Sequence, residues 1–196
     1  MIQAAIPIFA ERGPDLPVID DFAKAAGVSR GTFYNYFATT RELLDACLVV
    51  LFDDVIELIA PRVADQPNPV IRLATAARLF YRKASAEPVF RGFLGSVSGV
   101  GKMAARHGRA DLIEAREQGL ITIPDLALAE AVAFGIMVFA LRAERAGVSD
   151  PARADEVVRT ILIALQVAPE LIEQALQVPL PPLSADENVG GGVDLG

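Results

Sequence analysis

Arg30, Thr32, Tyr34, Asn35 and Tyr36 fall in one short stretch, "GVSRGTFYNYF" (27–37), and set a guanidinium, three hydroxyls and an amide side by side. That set donates and accepts hydrogen bonds while carrying little charge, which is the chemistry of phosphate contact and base-edge reading on DNA. Phe33 and Phe37, at i and i+4, share one helical face and suit a small core, which leaves the polar groups on the other faces. A merely solvated helix face is the competing use of the same side chains. Groups suited to catalysis are sparse. His107 is the single histidine and more readily satisfies a local hydrogen bond than runs proton transfer. Cys47 is the single cysteine and suits packing better than nucleophilic attack. "GSVSGVGK" (95–102) has the glycines of a phosphate loop but no strand before it, so its glycines are better read as a break between helices. No Cys/His cluster has metal-ligand spacing, so neither a metal, a cofactor nor an enzymatic activity is expected.

The elements that must position these groups are helices. Apolar residues recur at three and four, and almost no strand alternation is present. A first helix carries Ile2, Ala5, Ile6 and Phe9 and stops at Gly13-Pro14, its first turn frayed by Pro7. A second runs from about 16 or 18 to Ala26, and Gly27 supplies its left-handed stop. Ser29 caps a third, extending to about Tyr36. Only Gly27-Val28 separates these two short helices, so they must cross steeply as a helix-turn-helix, with Ala23 small at the approach. Thr39 and Glu42 are spaced as a capping box for a long helix ending at Pro61, followed by a loop to Pro69. Helices are expected over 69–86, 88–98, 102–118, 125–146, 151–167 (capped by Asp150) and 169–178. The tail, "PLPPLSADENVGGGVDLG", has a disordered composition.

In "DDFAKAAGVSRGTFYNYFATTRELL" (20–44), the residues Phe22-Ala23, Ala26-Gly27-Val28-Ser29, Gly31-Thr32-Phe33-Tyr34 and Tyr36-Phe37 stand in a register that resembles the DNA-binding domain of TetR-family transcriptional regulators. "IQAAIPIFAERG" is similar to that family's first helix. The resemblance covers about the first 45 residues; beyond them it is one of helix length and order. It implies an all-α protein with an N-terminal three-helix DNA-binding domain (1–45, motif about 18–37), then a helical effector-binding and dimerisation domain (46–178) and a disordered tail (179–196). The chain departs from the family pattern in starting almost inside the first helix, without a basic arm. It has Pro17-Val18 where a capping threonine is favoured, Asp20 where a basic or polar residue often stands, and Thr40, next to Arg41, where a lysine is common. Ser29, Arg30, Thr32, Tyr34, Asn35, Tyr36, Thr40 and Arg41 are the expected DNA-facing residues.

Charge and composition narrow the partners. A net charge of −7 argues against a protein that coats nucleic acid broadly, yet residues 1–41 hold four basic and four acidic groups and are neutral. The longest apolar run, 126–141, contains Glu130 and is too short to span a bilayer, and no signal peptide is visible, so a cytoplasmic protein with no membrane partner is expected. That run is apolar all round, as is much of 151–167, which suits either a deep monomer core or a four-helix interface in a homodimer. The resemblance further implies a small-molecule pocket between the helices of 43–119. Tyr81, Phe80, Phe90, Phe93, Met103 and Phe134 are candidate lining for an apolar or aromatic effector, and Arg78, Arg82, His107 and Glu114 candidate polar anchors, though each equally suits core packing or a solvated surface. The expected function is a ligand-responsive repressor acting on a double-stranded DNA operator. Two rivals share the sequence: a helical carrier or enzyme on a helix-turn-helix scaffold, and a protein-interaction module.

Overall fold

A computed structural model of the chain describes residues 1–13, 15–87, 90, 102–143 and 151–183. The described residues contain helices and no strand: α1 (Ile2–Arg12), α2 (Ile19–Ala25), α3 (Arg30–Tyr34), α4 (Thr40–Val63), α5 (Pro69–Ala86), α6 (Lys102–Glu117), α7 (Leu126–Arg142), α8 (Pro151–Ala164) and α9 (Pro169–Gln177). The N-terminal helices α1 to α3 form a small head packed on the start of α4, while α5 lies at the centre of a bundle with α4, α6, α8 and α9.

Side-chain oxygens start several of these helices. Thr39 Oγ1 accepts from the Glu42 amide at 3.1 Å, and the Glu42 carboxylate reaches back to the Ala38 amide at 2.7 Å, one residue earlier than a standard capping box. Asn68 accepts from Val70 and Ile71 at the head of α5, and Asp125 from Ala127 and Leu128 at the head of α7. The assignment of Asp150 as the cap of α8, and all of the 88–98 helix except Phe90, lie outside the described residues.

Both prolines expected to disturb helices are accommodated. Pro7 lies inside α1, whose first turn is closed by the Ala5 amide on the Met1 carbonyl at 3.0 Å. The hydrogen bond Pro7 forfeits would end on the carbonyl of Gln3, an exposed residue that water can serve. Likewise α4 does not stop at Pro61 but continues to Val63, because only one bond is lost there and Arg62 folds back onto the Leu58 carbonyl. The tail also differs from expectation at its start. Leu180 and Leu183 pack against the core, and Arg62 Nε donates to the Pro182 carbonyl at 3.2 Å, so residues 179–183 are strapped to the body.

One aromatic group anchors the bundle. Phe52 of α4 meets Phe80 of α5 at 5.2 Å between centroids, Phe90 at 5.5 Å and Phe134 of α7 at 6.0 Å. Arg78, only 5% exposed, crosses that interior, donating to Asp155 Oδ1 at 2.7 Å and to the Val178 carbonyl at 2.8 Å. Its charge is thereby matched and its donors used, as burial requires.

Candidate nucleic-acid interface and effector cavity

The turn between α2 and α3 has the geometry its sequence demands. Gly27 takes φ +65°, the Val28 amide donates to the Ala23 carbonyl at 2.9 Å, and the Gly27 amide to Lys24 at 3.2 Å. Those two bonds are a Schellman closure, and its left-handed position favours glycine. Ser29 then caps α3, its Oγ accepting from the Thr32 amide at 3.0 Å and lying 2.9 Å from Thr32 Oγ1. The N-cap of α2, Val18, has no polar side chain; Asp21 compensates by accepting the Val18 amide at 2.9 Å while facing Arg12 at 3.4 Å.

Five residues of helix cannot hold themselves in water. Phe33 does it for α3: it is wholly buried, with Phe37 at 6.0 Å and with Phe9 and Phe22 in the same core, themselves 4.7 Å apart. With Phe33 turned inward, Tyr34 and Tyr36 stand 51% and 72% exposed, and Arg30 and Asn35 are exposed beside them. The helix is shorter than expected, ending at Tyr34; Tyr36 sits in a following turn, its amide on the Phe33 carbonyl at 3.0 Å. Thr40 and Arg41 open α4 next to this surface, Arg41 lying 3.5 Å from Asp45. Of the expected residues, Ser29, Arg30, Tyr34, Asn35, Tyr36 and Arg41 are exposed and Thr32 and Thr40 half-buried, along α3 and the turn that leads into α4. What spacing did not reveal is that Arg30 Nη1 lies 3.3 Å from Asp20, ten residues earlier on α2.

At the other end of α4 is a cavity of about 730 Å³, within the size range of small-molecule sites. Its walls are Phe52, Ile56 and Ile59 of α4, Leu73, Ala76 and Phe80 of α5, and Phe134 and Met137 of α7, with Leu112 of α6. Two arginines, each in ion pairing, border it. Arg72 donates to Asp111 at 2.7 Å and also pairs with Glu114; Arg109 meets Glu130 at 2.5 Å. Burial pulls the Arg72 guanidinium down, and the bonds to Asp111 and Glu114 more than offset that, so it is held above its ordinary value.

Of the residues expected around a pocket, Phe80 and Phe134 line this cavity and Glu114 braces Arg72 at its edge. Arg78, Tyr81 and Phe90 are buried in the packing instead, and Arg82 points to Asp155 at 3.9 Å. Phe93, Met103 and His107 lie outside the described side chains. Sequence reasoning missed Arg72, Asp111, Arg109 and Glu130, whose pairing depends on how α5, α6 and α7 cross. Cys47 is buried, its Sγ 3.7 Å from the Ile2 carbonyl, and burial pushes its thiol up to about 12. No group of three metal-binding side chains occurs among the described residues, and none of their helices is long and apolar enough to cross a membrane.

Residues 1–47 match the family model for bacterial regulatory proteins of the tetR family. The likeness to that family lies in the head, α1 to α3 and the start of α4. Among its relatives is YvdT of Bacillus subtilis, an uncharacterised HTH-type transcriptional regulator, 36% identical over 63 residues, 32% of each chain. KstR2 of Mycobacterium tuberculosis, an HTH-type transcriptional repressor, is 32% identical over 73 residues, 37% of this chain and 36% of KstR2. The match thus spans about a third of the length of these relatives. The structure of RolR in complex with resorcinol superposes over far more: 93% of this chain and 94% of RolR, at 27% identity and a TM-score of 0.78. The fold is therefore shared with RolR over nearly the whole chain, whereas the family model covers residues 1–47.

Proposed function

We propose that this chain is a homodimeric, ligand-responsive transcriptional regulator that represses from a DNA operator and is released by a small apolar or aromatic effector. One observation carries the reading: α4 belongs to both sites. Leu43 and Leu44 at its start are buried in the core that holds the reading head, and Phe52, Ile56 and Ile59 further along wall the cavity. A ligand that reshapes the cavity must act on the helix against which α1, and through it the rest of the head, is packed. The separation of two such heads in a dimer would then shift between DNA-competent and incompetent states. The homodimer is supported by Leu128 and Phe139 of α7 and Ile163 of α8, 49%, 67% and 60% exposed on two helices that pack together. RolR's complex with resorcinol supports a compact aromatic effector, and resorcinol is the first compound to test.

The test uses Ala77→Phe, which fills part of the cavity without touching the head. In a mobility-shift assay on a duplex selected by the parent protein, parent and variant should bind alike, and an effector that releases the parent should leave the variant bound. Equal release of both proteins would remove the cavity from the mechanism, and Arg30→Ala/Tyr34→Ala binding as tightly as the parent would remove α3.

A further inference from the structure

The three arginines of the reading head each face a carboxylate of the same chain: Arg12 with Asp21 at 3.4 Å, Arg41 with Asp45 at 3.5 Å and Arg30 with Asp20 at 3.3 Å. The first two pairs have other reasons to exist. Asp21 also accepts the Val18 amide that opens α2, and Arg41 and Asp45 are an i,i+4 pair on α4. The third has no such role. Asp20 and Arg30 sit on different helices, their side chains are 67% and 60% exposed, and neither braces a buried group. The pair instead joins the second residue of α2 to the first residue of α3, the one cation on that helix.

We propose that Asp20 is an attenuating residue for DNA binding: its carboxylate occupies Arg30 in the free protein and must be displaced, or carried along, when Arg30 meets a phosphate. The inference rests on the reading of α3 as the DNA-facing helix. Its physics is local. An exposed ion pair is weak, so it does not lock the head shut. It does cancel the only positive charge on α3, and a neutral Arg30–Asp20 couple releases about one counterion fewer from DNA than a lone guanidinium would. A neighbouring carboxylate also repels the phosphate backbone at short range. Asp20 therefore makes association with any DNA weaker and less salt-dependent, so that binding leans on the contacts of Tyr34, Asn35 and Tyr36, which carry no charge at neutral pH.

The experiment measures four full-length proteins, the parent, Asp20→Asn, Arg30→Ala and the double variant. The probe is a fluorescent 30-base-pair duplex enriched by the parent from a random-sequence library, titrated between 50 and 200 mM salt. Asp20→Asn should bind the duplex about three- to tenfold more tightly near 100 mM salt, the range that an exposed pair and one relieved phosphate repulsion allow. Its slope of log affinity against log salt should steepen by about one. Most of both gains should be lost in the Arg30→Ala background, leaving only what the carboxylate's direct repulsion of phosphate accounts for. An equal gain in both backgrounds overturns the proposal, since the carboxylate would then act on DNA alone and not through Arg30. Unchanged or weaker binding by Asp20→Asn also overturns it, weaker binding marking Asp20 as a brace that orients Arg30. If the parent enriches no duplex at all, the reading of α3 itself falls, a result distinct from any ranking among the four.

Discussion

Replacing Phe33 by alanine should unlatch the N-terminal head while leaving the helical bundle folded. The side chain is completely buried and is the one residue of α3 that is. Truncating a buried phenylalanine costs about 3–5 kcal/mol, from lost transfer energy plus the cavity left behind. Nothing else can make up that loss, because α3 has five residues and too few internal hydrogen bonds to persist unaided. Phe9, Phe22 and Phe33 lie at one end of the continuous core, and the head's helices reach the remainder chiefly through α1 packed on α4. Local opening should therefore absorb most of the cost before the bundle is affected. A 3 kcal/mol loss corresponds to roughly a hundredfold acceleration of amide exchange. In Phe33→Ala, amides 33 and 35–37 should exchange about a hundredfold faster than in the parent, while those of 157–165 in α8 stay within a few-fold. Phe33→Leu, which keeps most of the volume, should cost less than about 1.5 kcal/mol and accelerate the same amides about tenfold or less. If the α3 amides kept their protection, or if α8 lost as much as α3, the idea of a head pinned by one aromatic would be wrong.

Two further outcomes follow from buried groups outside both sites. Burial raises the Cys47 thiol to about 12, so native protein at pH 8 should react with iodoacetamide orders of magnitude more slowly than urea-unfolded protein, as mass spectrometry would read. The sign of the linkage is that both states hold a neutral thiol below the unfolded value near 9, and only the unfolded state ionises above it. Stability should thus fall by up to about 1.4 kcal/mol per pH unit as pH rises from about 9 toward 12, a loss that Cys47→Ala should not share. Arg78→Met keeps the stem but strips the Val178 carbonyl and Asp155 of their donor. Because Asp155 is 35% exposed and stays near Arg82, the cost should be about 1–3 kcal/mol by urea unfolding, short of the full penalty of an isolated buried ion.

The head was legible because its rules are local. Gly27, Ser29, Thr39 and Glu42 each declare a turn or cap within four residues, and Phe33 and Phe37 declare an inward face by spacing alone. The ends of α1 and α4 were harder, because a proline speaks only for one hydrogen bond, while the helix continues wherever packing outweighs that loss; Pro61 is followed by Val63, which is buried. The cavity was the least legible. Alanines 76 and 77 gave no signal of their own, since a void is made by what facing helices leave out. Arg78 and Arg72 are six residues apart on one helix and similarly polar, yet the first is locked into packing and the second borders the cavity. Only the crossing of α5 with α6 and α8 separates them.

Under the proposed function, ion pairing shapes how a chain of net charge −7 would present a DNA-facing surface. Arginines at both functional ends are matched to carboxylates: Arg30 and Arg41 in the head, Arg72 and Arg109 at the cavity. Were those cations unpaired, a basic head on an acidic body would bind any phosphate backbone, and sequence discrimination would be diluted across the genome. Pairing them costs affinity, but it moves the weight of recognition onto hydroxyl, amide and aromatic contacts that depend on distance and angle. A head built this way needs its α3 surface held in a fixed orientation, which is the task of Phe33 below it and of α4 behind it. Under the proposed function such a head would also need little force to dislodge, so an uncharged ligand filling the apolar cavity further along α4 would have only a modest equilibrium to overturn.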